Sequence, residues 1–481
     1  MKISLLLSLI FLISCSLKTD LRSPSSIEQT KLSLIVDEIS MSYVTGLSKR
    51  ACVLASKDFY SELYNLSYTS SMLKNISRPK ELLERSFYAR LIIRNYLTNL
   101  DDDYFSKDCV NGLRDITRSL RYLEDYIIQR SFDSQASSDV VFSNVQDQLQ
   151  VNPSFDFESY KDLESGDVII SRGNAFTSAA IARIGVKDSQ FSHMSFVYKD
   201  SDGKLHTTEA HIEIGSVATE FQNHIDQKNA RAVVYRFKDQ DLAHKAAKHM
   251  YLKVKNYSEN NSNNINYDFG MDYKGNEELF CSEVVYDGFN YASVGKIDIP
   301  RYKTNFDAKL TGFLNQLGIN VSKDNIALFD TFGPGDIEFD SRFELVAEWR
   351  NPKKIVNTRI KDAVLSKMFE WMSDRKYSLK AGFKLSSKAY IAYFARRIPW
   401  VKNSFIEKFP LNMGPKQMKL FLVLDVVGEA LEKEITSKRK FEKLSFKEMY
   451  NILEKFREKD YGVAKRRGTR KSEFHRYFRP W

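Results

Sequence analysis

The chain is poor in cysteine, proline and glycine, with four, ten and twenty residues respectively among 481. With so little glycine and proline and ample apolar and aromatic content, the composition is that of a globular protein. At this length one ordinary core is not enough, and two or three domains are expected. Cys281, His193, His211 and Glu209 are all possible metal ligands, but nothing shows the close paired spacing of a typical zinc motif, so no metal is expected. Neither of two apolar runs is long enough to span a bilayer: Ile3 to Ile13 is short, and Leu420 to Val427 is interrupted by Asp425. No internal repeat stands out. Acidic residues are outnumbered, 62 against 72 basic, for a net charge of +10. That favours anionic partners, such as phospholipid headgroups, envelope phosphates or nucleic acid, without choosing among them.

What is present begins with an export signal. Met1-Lys2 and the run that follows have the form of a secretory signal peptide. The run ends Leu12-Ile13-Ser14-Cys15, which resembles a bacterial lipobox and implies residues 1–15 as signal with Cys15 as the acylated (palmitate-bearing) residue. An ordinary signal peptide with an incidental cysteine is the alternative. Acyl chains on Cys15 would anchor the protein to a membrane. Ser16 instead of Asp next to it is similar to outer-membrane sorting, with the protein facing the periplasm. Export also argues against a nucleic-acid partner. Cys52 and Cys109 are free to pair in an exported protein, although the sequence does not give their separation. If they pair, Cys281 is the remaining free thiol.

Texture divides the chain further. A polar tether at 16–25 leads into helical periodicity to about Phe132, so 16–132 is expected as a helical N-terminal domain. Asp101-Asp102-Asp103 reads as a solvated turn. Residues 133–154 read as a polar linker. Strand patterns then dominate: Val168-Ile169-Ile170, Phe191 to Tyr198, Leu205 to His211 and Ala232 to Phe237, followed by a helix over 239–256 and an Asn-rich loop at Glu259 to Asn264. From about Asn351 the pattern is helical again, giving a basic C-terminal domain over 351–481. Its tail, Tyr461–Trp481, interleaves seven Lys or Arg with Phe474, Tyr477, Phe478 and Trp481. It reads as a membrane-contacting segment or as a packed tail.

The chemistry centres on Glu278-Leu279-Phe280-Cys281-Ser282-Glu283-Val284-Val285. Cys281 falls at the start of an amphipathic helix, where unpaired N–H groups and the helix dipole favour thiolate, the nucleophilic form. The bland alternative is a small buried hydrophobe. A cysteine nucleophile needs a base, and His193, opening an apolar strand, is the best placed of seven histidines. If the 200–204 turn pairs Asp200 with Lys204, then His193, Ser195, Glu209 and His211 share one face. Glu209 is then the orienter of His193, with His211 as fallback.

These stretches, in the order Leu163-Glu164-Ser165-Gly166-Asp167-Val168, Phe191-Ser192-His193-Met194, Thr208-Glu209-Ala210, Tyr267-Asp268 and Phe280-Cys281-Ser282-Glu283, resemble the YiiX-like branch of the permuted NlpC-type papain-like hydrolases. The resemblance covers roughly 155–350, with Gly333–Ile337 and Phe343–Val346 similar to the family's closing strand. It implies an α+β fold, a circularly permuted papain-like domain with a small antiparallel sheet, flanked by helical domains. It implies Cys281 as nucleophile, His193 as base, Glu209 as third member, and Tyr267 and Ser282 beside the cleft. No cofactor is implied. The reaction would be acyl transfer on an amide bond in cell wall, lipid or lipoprotein. The non-enzymatic rival is an envelope scaffold on an inactive hydrolase fold.

Overall fold

A glycine turn starts the central sheet. Gly166 adopts a φ of 95°, and a Cβ there would lie 2.4 Å from that of Ala243, so both the backbone angle and the close approach require glycine. The computed structural model describes residues 34–41, 52, 57, 79–98, 106–133, 142–143, 147–221, 229–261, 263–272, 277–398, 400, 409 and 412–480. The expected signal peptide with Cys15, the tether, Asp101–Asp103 and Trp481 lie outside these residues.

Strands β1 (Phe142–Ser143), β2 (Asp147–Val151), β3 (Val168–Gly173), β4 (His193–Lys199), β5 (Leu205–His211), β6 (Gly215–Glu220) and β7 (Asn229–Phe237) come first. The two-residue strands β8 (Thr304–Asn305) and β9 (Asp330–Thr331) pair with each other, and β10 (Phe343–Arg350) closes the main sheet. That sheet has eight strands in the order β1-β2-β10-β7-β3-β4-β5-β6, with every neighbouring pair antiparallel. It is larger than the small sheet expected. Residues 133–154, read as a linker, supply β1 and β2, because Leu149 and its neighbours pair along β10. Gly333–Ile337 is not strand: Pro334–Phe339 is a 3-10 turn, so β10 alone closes the sheet.

Helices α1 (Pro79–Thr98) and α2 (Lys107–Asp133) precede the sheet, and a disulfide joins Cys52 to Cys109 at the start of α2. Within the sheet region lie α3 (Phe176–Ile181), α4 (Gln240–Asn261), α5 (Cys281–Ala292) and α6 (Thr311–Leu317). After it come α7 (Pro352–Arg375), α8 (Phe383–Ala395), α9 (Pro415–Thr436) and α10 (Phe446–Arg467). The inner strands are apolar on both faces because both are covered. Val168, Ile170, Val233 and Tyr235 join the helix-side core, while Ile169, Val197, Ala232 and Val234 pack under Phe157 and Trp349. The helix-side core runs without a break from Phe87 and Tyr122, through the sheet, to α9, α10 and Phe474. The flanking helices therefore share the core of the sheet. The basic tail is packed: Phe474, Tyr477 and Phe478 are buried, and β12 (Phe478–Arg479) pairs with β11 (Ser378–Leu379).

Charge also crosses this junction. Arg90 pairs with Glu124 at 2.8 Å and with Glu348. Arg350 meets Glu348 at 2.7 Å, Asp125 at 3.0 Å and Glu124. Arg121 reaches Glu348 at 3.5 Å and pairs with Glu338, and Arg231 pairs with Asp125. All eight groups are buried. Burial alone would raise the Glu348 carboxyl, but Arg350, Arg90 and Arg121 hold it down at about 2. Its contribution to stability is present above the ordinary carboxylate range and is lost as pH falls towards that value. Glu348→Gln leaves buried guanidinium charge unmatched, so it should cost about 3–5 kcal/mol. Chemical denaturation at neutral pH reads this, and an unchanged midpoint would mean that the cluster contributes nothing.

Candidate active site

Buried Leu279 and Phe280 lead the chain into α5. Phe280 is extended as the N-cap, and its amide donates to a Glu283 carboxyl oxygen at 3.2 Å, which defines Cys281 as the first helical residue. The first N–H groups of a helix have no partners within it, so the thiol lies in their field. Two turns further on, a Cβ at Gly288 would lie 2.7 Å from the Phe196 ring and 3.0 Å from the Ala246 carbonyl oxygen. Glycine at this point lets α5 press against β4 and α4. That contact carries Cys281 to the start of β4, where His193 stands.

The β4–β5 register matches the one expected from the turn. Asp200 N–H donates to the Lys204 carbonyl, and Ser195 lies opposite Glu209. His193 Nε2 and Glu209 Oε2 are 2.7 Å apart. The Cys281 side chain also acts on the His193 imidazole and raises it; with Nε2 on the carboxylate, Nδ1 is the nitrogen left for the sulfur. His211 does not replace Glu209 but joins it: its Nε2 lies 3.2 Å from the same carboxylate oxygen, and its ring stacks on His193 with centroids 4.7 Å apart. The ligand atoms of His193, Glu209 and His211 lie within 4.8 Å of one another, the one group among the described residues arranged to hold a cation. In the hydrogen-bonded state a shared proton occupies that place, so metal and proton compete for the same lone pairs.

The electrostatics follow from burial set against these partners. Burial lowers the His193 imidazole, but the neighbouring Cys281 and the paired Glu209 outweigh it and raise the group from 6.5 to about 10. Glu209 is driven up by burial and held well below its usual range by His193 and His211. Glu283, behind Cys281, is pushed to about 9 by burial and by Asp287, so it is a neutral acid near pH 7.

Cys281 is 5% exposed and opens on a narrow cavity of about 30 Å³. Ile184, Met271, Phe306 and Phe332 supply apolar walls, and Tyr267 and Ser282 lie beside them. The Ser282 hydroxyl is 3.9 Å from the sulfur. The Tyr267 phenol, raised by burial and by Cys281, stays protonated, and its carbonyl accepts from Asn412 at 2.6 Å. Sequence reasoning missed the cavity walls. In sequence they look like core residues, and α3, six residues long, is too short to show a period.

Because the folded-state value of His193 is raised, the stability it adds is complete below about pH 6.5 and is lost as pH rises to about 10. Glu209→Gln removes the carboxylate that favours imidazolium, so the His193 titration should move down by a unit or more. NMR titration of the ring reads this directly, and an unmoved curve would remove Glu209 from the assignment.

Residues 162–310, less than a third of the chain, match the family model described as permuted papain-like amidase enzyme, YaeF/YiiX, C92 family. Comparison with curated proteins and with solved structures finds no match. The matched stretch contains the two strands and the helix that bring His193, Glu209 and Cys281 together. This central stretch is similar to the YaeF/YiiX family of permuted papain-like amidases, which supports a cysteine hydrolase of the amidase/peptidase class.

Proposed function

We propose that the protein is a lipid-anchored envelope enzyme that cleaves an amide bond by acyl transfer, with Cys281 as nucleophile, His193 as base and Glu209 as orienter. The observation that carries this reading is the placing of Cys281 at a helix N-terminus beside His193, whose ring pairs with Glu209 at 2.7 Å. The Cys281 sulfur, ionised by proton transfer to His193, adds to the amide carbonyl, and the oxyanion accepts from the Cys281 backbone N–H. The C–N bond breaks as His193 returns the proton to the leaving amine. His193 then takes a proton from water, hydroxide attacks the thioester, and the carboxylic acid leaves as the thiol re-forms. Glu209 holds the ring orientation throughout and keeps its own charge.

The apolar cavity walls support an acyl group of apolar character, which favours an amide in lipid or lipoprotein over one in wall peptide. Acylation of Cys15 would hold the enzyme at a membrane, in the outer-membrane reading facing the periplasm, and would bring such substrates within reach. In this reading the helical parts, 16–132 and 351–481, brace the cleft. Nucleic acid has no role. The narrowness of the cavity favours one rival, an inactive fold used as a scaffold.

The two readings separate in a labelling experiment. An activated Cys281 should react with iodoacetamide fast below neutral pH, and His193→Ala should slow that reaction. Cys281→Ala and His193→Ala should each lower amide turnover by several orders of magnitude with the fold intact by circular dichroism. A chelator should leave turnover unchanged. Full activity in either variant would refute the assignment, and a slow, pH-insensitive thiol would favour the scaffold.

A further inference from the structure

Helix α8 is apolar on two sides but buries only one. Leu385, Ala389 and Ala392 face the core, against α9. On the outer side Phe383, Ile391, Phe394 and, just past the helix, Trp400 are 64 to 93% exposed. Tyr390 and Ile398 complete a stripe at seven- and four-residue steps along this face. Large apolar side chains grouped on a surface in this way mark an interaction site, whereas single exposed ones do not.

Charge identifies the partner. From Arg375 to Ile406 the sequence has eight Lys or Arg and no Asp or Glu. Lys384 and Lys388 are exposed on α8 itself, and Arg397 is exposed at its end. Lys419 comes from α9 to lie 4.3 Å from the centre of the Tyr390 ring. A second copy of the chain would set this basic rim against its own like, which is repulsive. Apolar and aromatic residues rimmed by lysine and arginine fit the interface of a bilayer with anionic headgroups. The basic aromatic tail at 461–481 offers no such face, because its Phe474, Tyr477 and Phe478 are packed inside.

We propose that the outer face of α8, with Trp400, docks on an anionic phospholipid membrane and is a protein-borne contact separate from any acyl chain on Cys15. The face is coupled to the cavity wall. Arg396, at the end of α8, donates to the Phe409 and Met413 carbonyls at 3.3 and 2.8 Å, and neighbouring Asn412 donates to Tyr267.

The test uses the full chain carrying Cys15→Ser, so that no acyl chain is attached. Vesicles of phosphatidylglycerol mixed with phosphatidylcholine should shift Trp400 emission to the blue. Trp349 and Trp371 are already buried, Trp481 is replaced by Phe throughout, and Trp400→Phe should abolish the shift. Adding salt, or using phosphatidylcholine alone, should weaken it. The surface variant Ile391→Asp with Phe394→Asp should lower vesicle affinity by roughly tenfold or more. Lys384→Glu with Lys388→Glu should also weaken binding while leaving the circular dichroism spectrum intact. Cys281→Ala should bind as the parent does, which keeps this result independent of the catalytic reading. Trp400 emission unmoved by vesicles, or equal binding by the Asp variants, would overturn the proposal. So would a shift that needs only rising protein concentration, which would make the face a contact between copies.

Discussion

Four arginines and four carboxylates withdrawn from water at one junction set the constraint on which the architecture rests. Removing each ion from water costs several kcal/mol, and only close opposite charge offsets that cost. The partners come from opposite sides: Arg90, Arg121, Glu124 and Asp125 from α1 and α2, and Arg231, Glu338, Glu348 and Arg350 from the sheet and the turn before β10. Neither side can keep its charges buried without the other. The N-terminal helices are therefore bound into the sheet, and the chain between them runs as β2 along β10.

A second buried cluster extends the same logic towards the cavity. Asp362 of α7 accepts from Arg172 of β3 at 2.6 Å and from Arg183, just after α3, at 2.8 Å. Arg183 also donates to the Tyr122 hydroxyl of α2 at 2.7 Å. The cavity wall formed by α3 and the residues after it is thus fastened to helices from both ends of the chain. These helices lie outside the stretch that the family model matches. They hold in place the residues after α3 that line the cavity at Cys281, while the strands and helix within the matched stretch align the thiol, imidazole and carboxylate.

Much of the candidate site was legible because its signals are local. Phe280-Cys281-Ser282-Glu283 starts a helix through its own capping chemistry, and the Ser201-Asp202-Gly203 turn sets the register that puts His193 and Glu209 within reach. The strand pattern of β3, β4, β5 and β7 was equally visible. β1 and β2 were not, since their polar composition reads as linker until β10 supplies a partner. The 3-10 turn at Pro334–Phe339 was mistaken for strand because short apolar runs do not reveal their period. Likewise, the tail after Tyr461 has the composition of a surface segment, and only packing against Trp371 and Phe456 explains its aromatic residues.

By itself the sequence determined which residues could do chemistry, the order in which they occur and the local elements that bear them. Those depend on capping, turn geometry and side-chain period, all of which act over a few residues. Tertiary structure alone decided that His211 shares Glu209 with His193, that an apolar wall closes over Cys281, and that α8 leaves an apolar, basic face uncovered. Each of these depends on what lies opposite a side chain in space, which long-range packing sets and which no local spacing encodes.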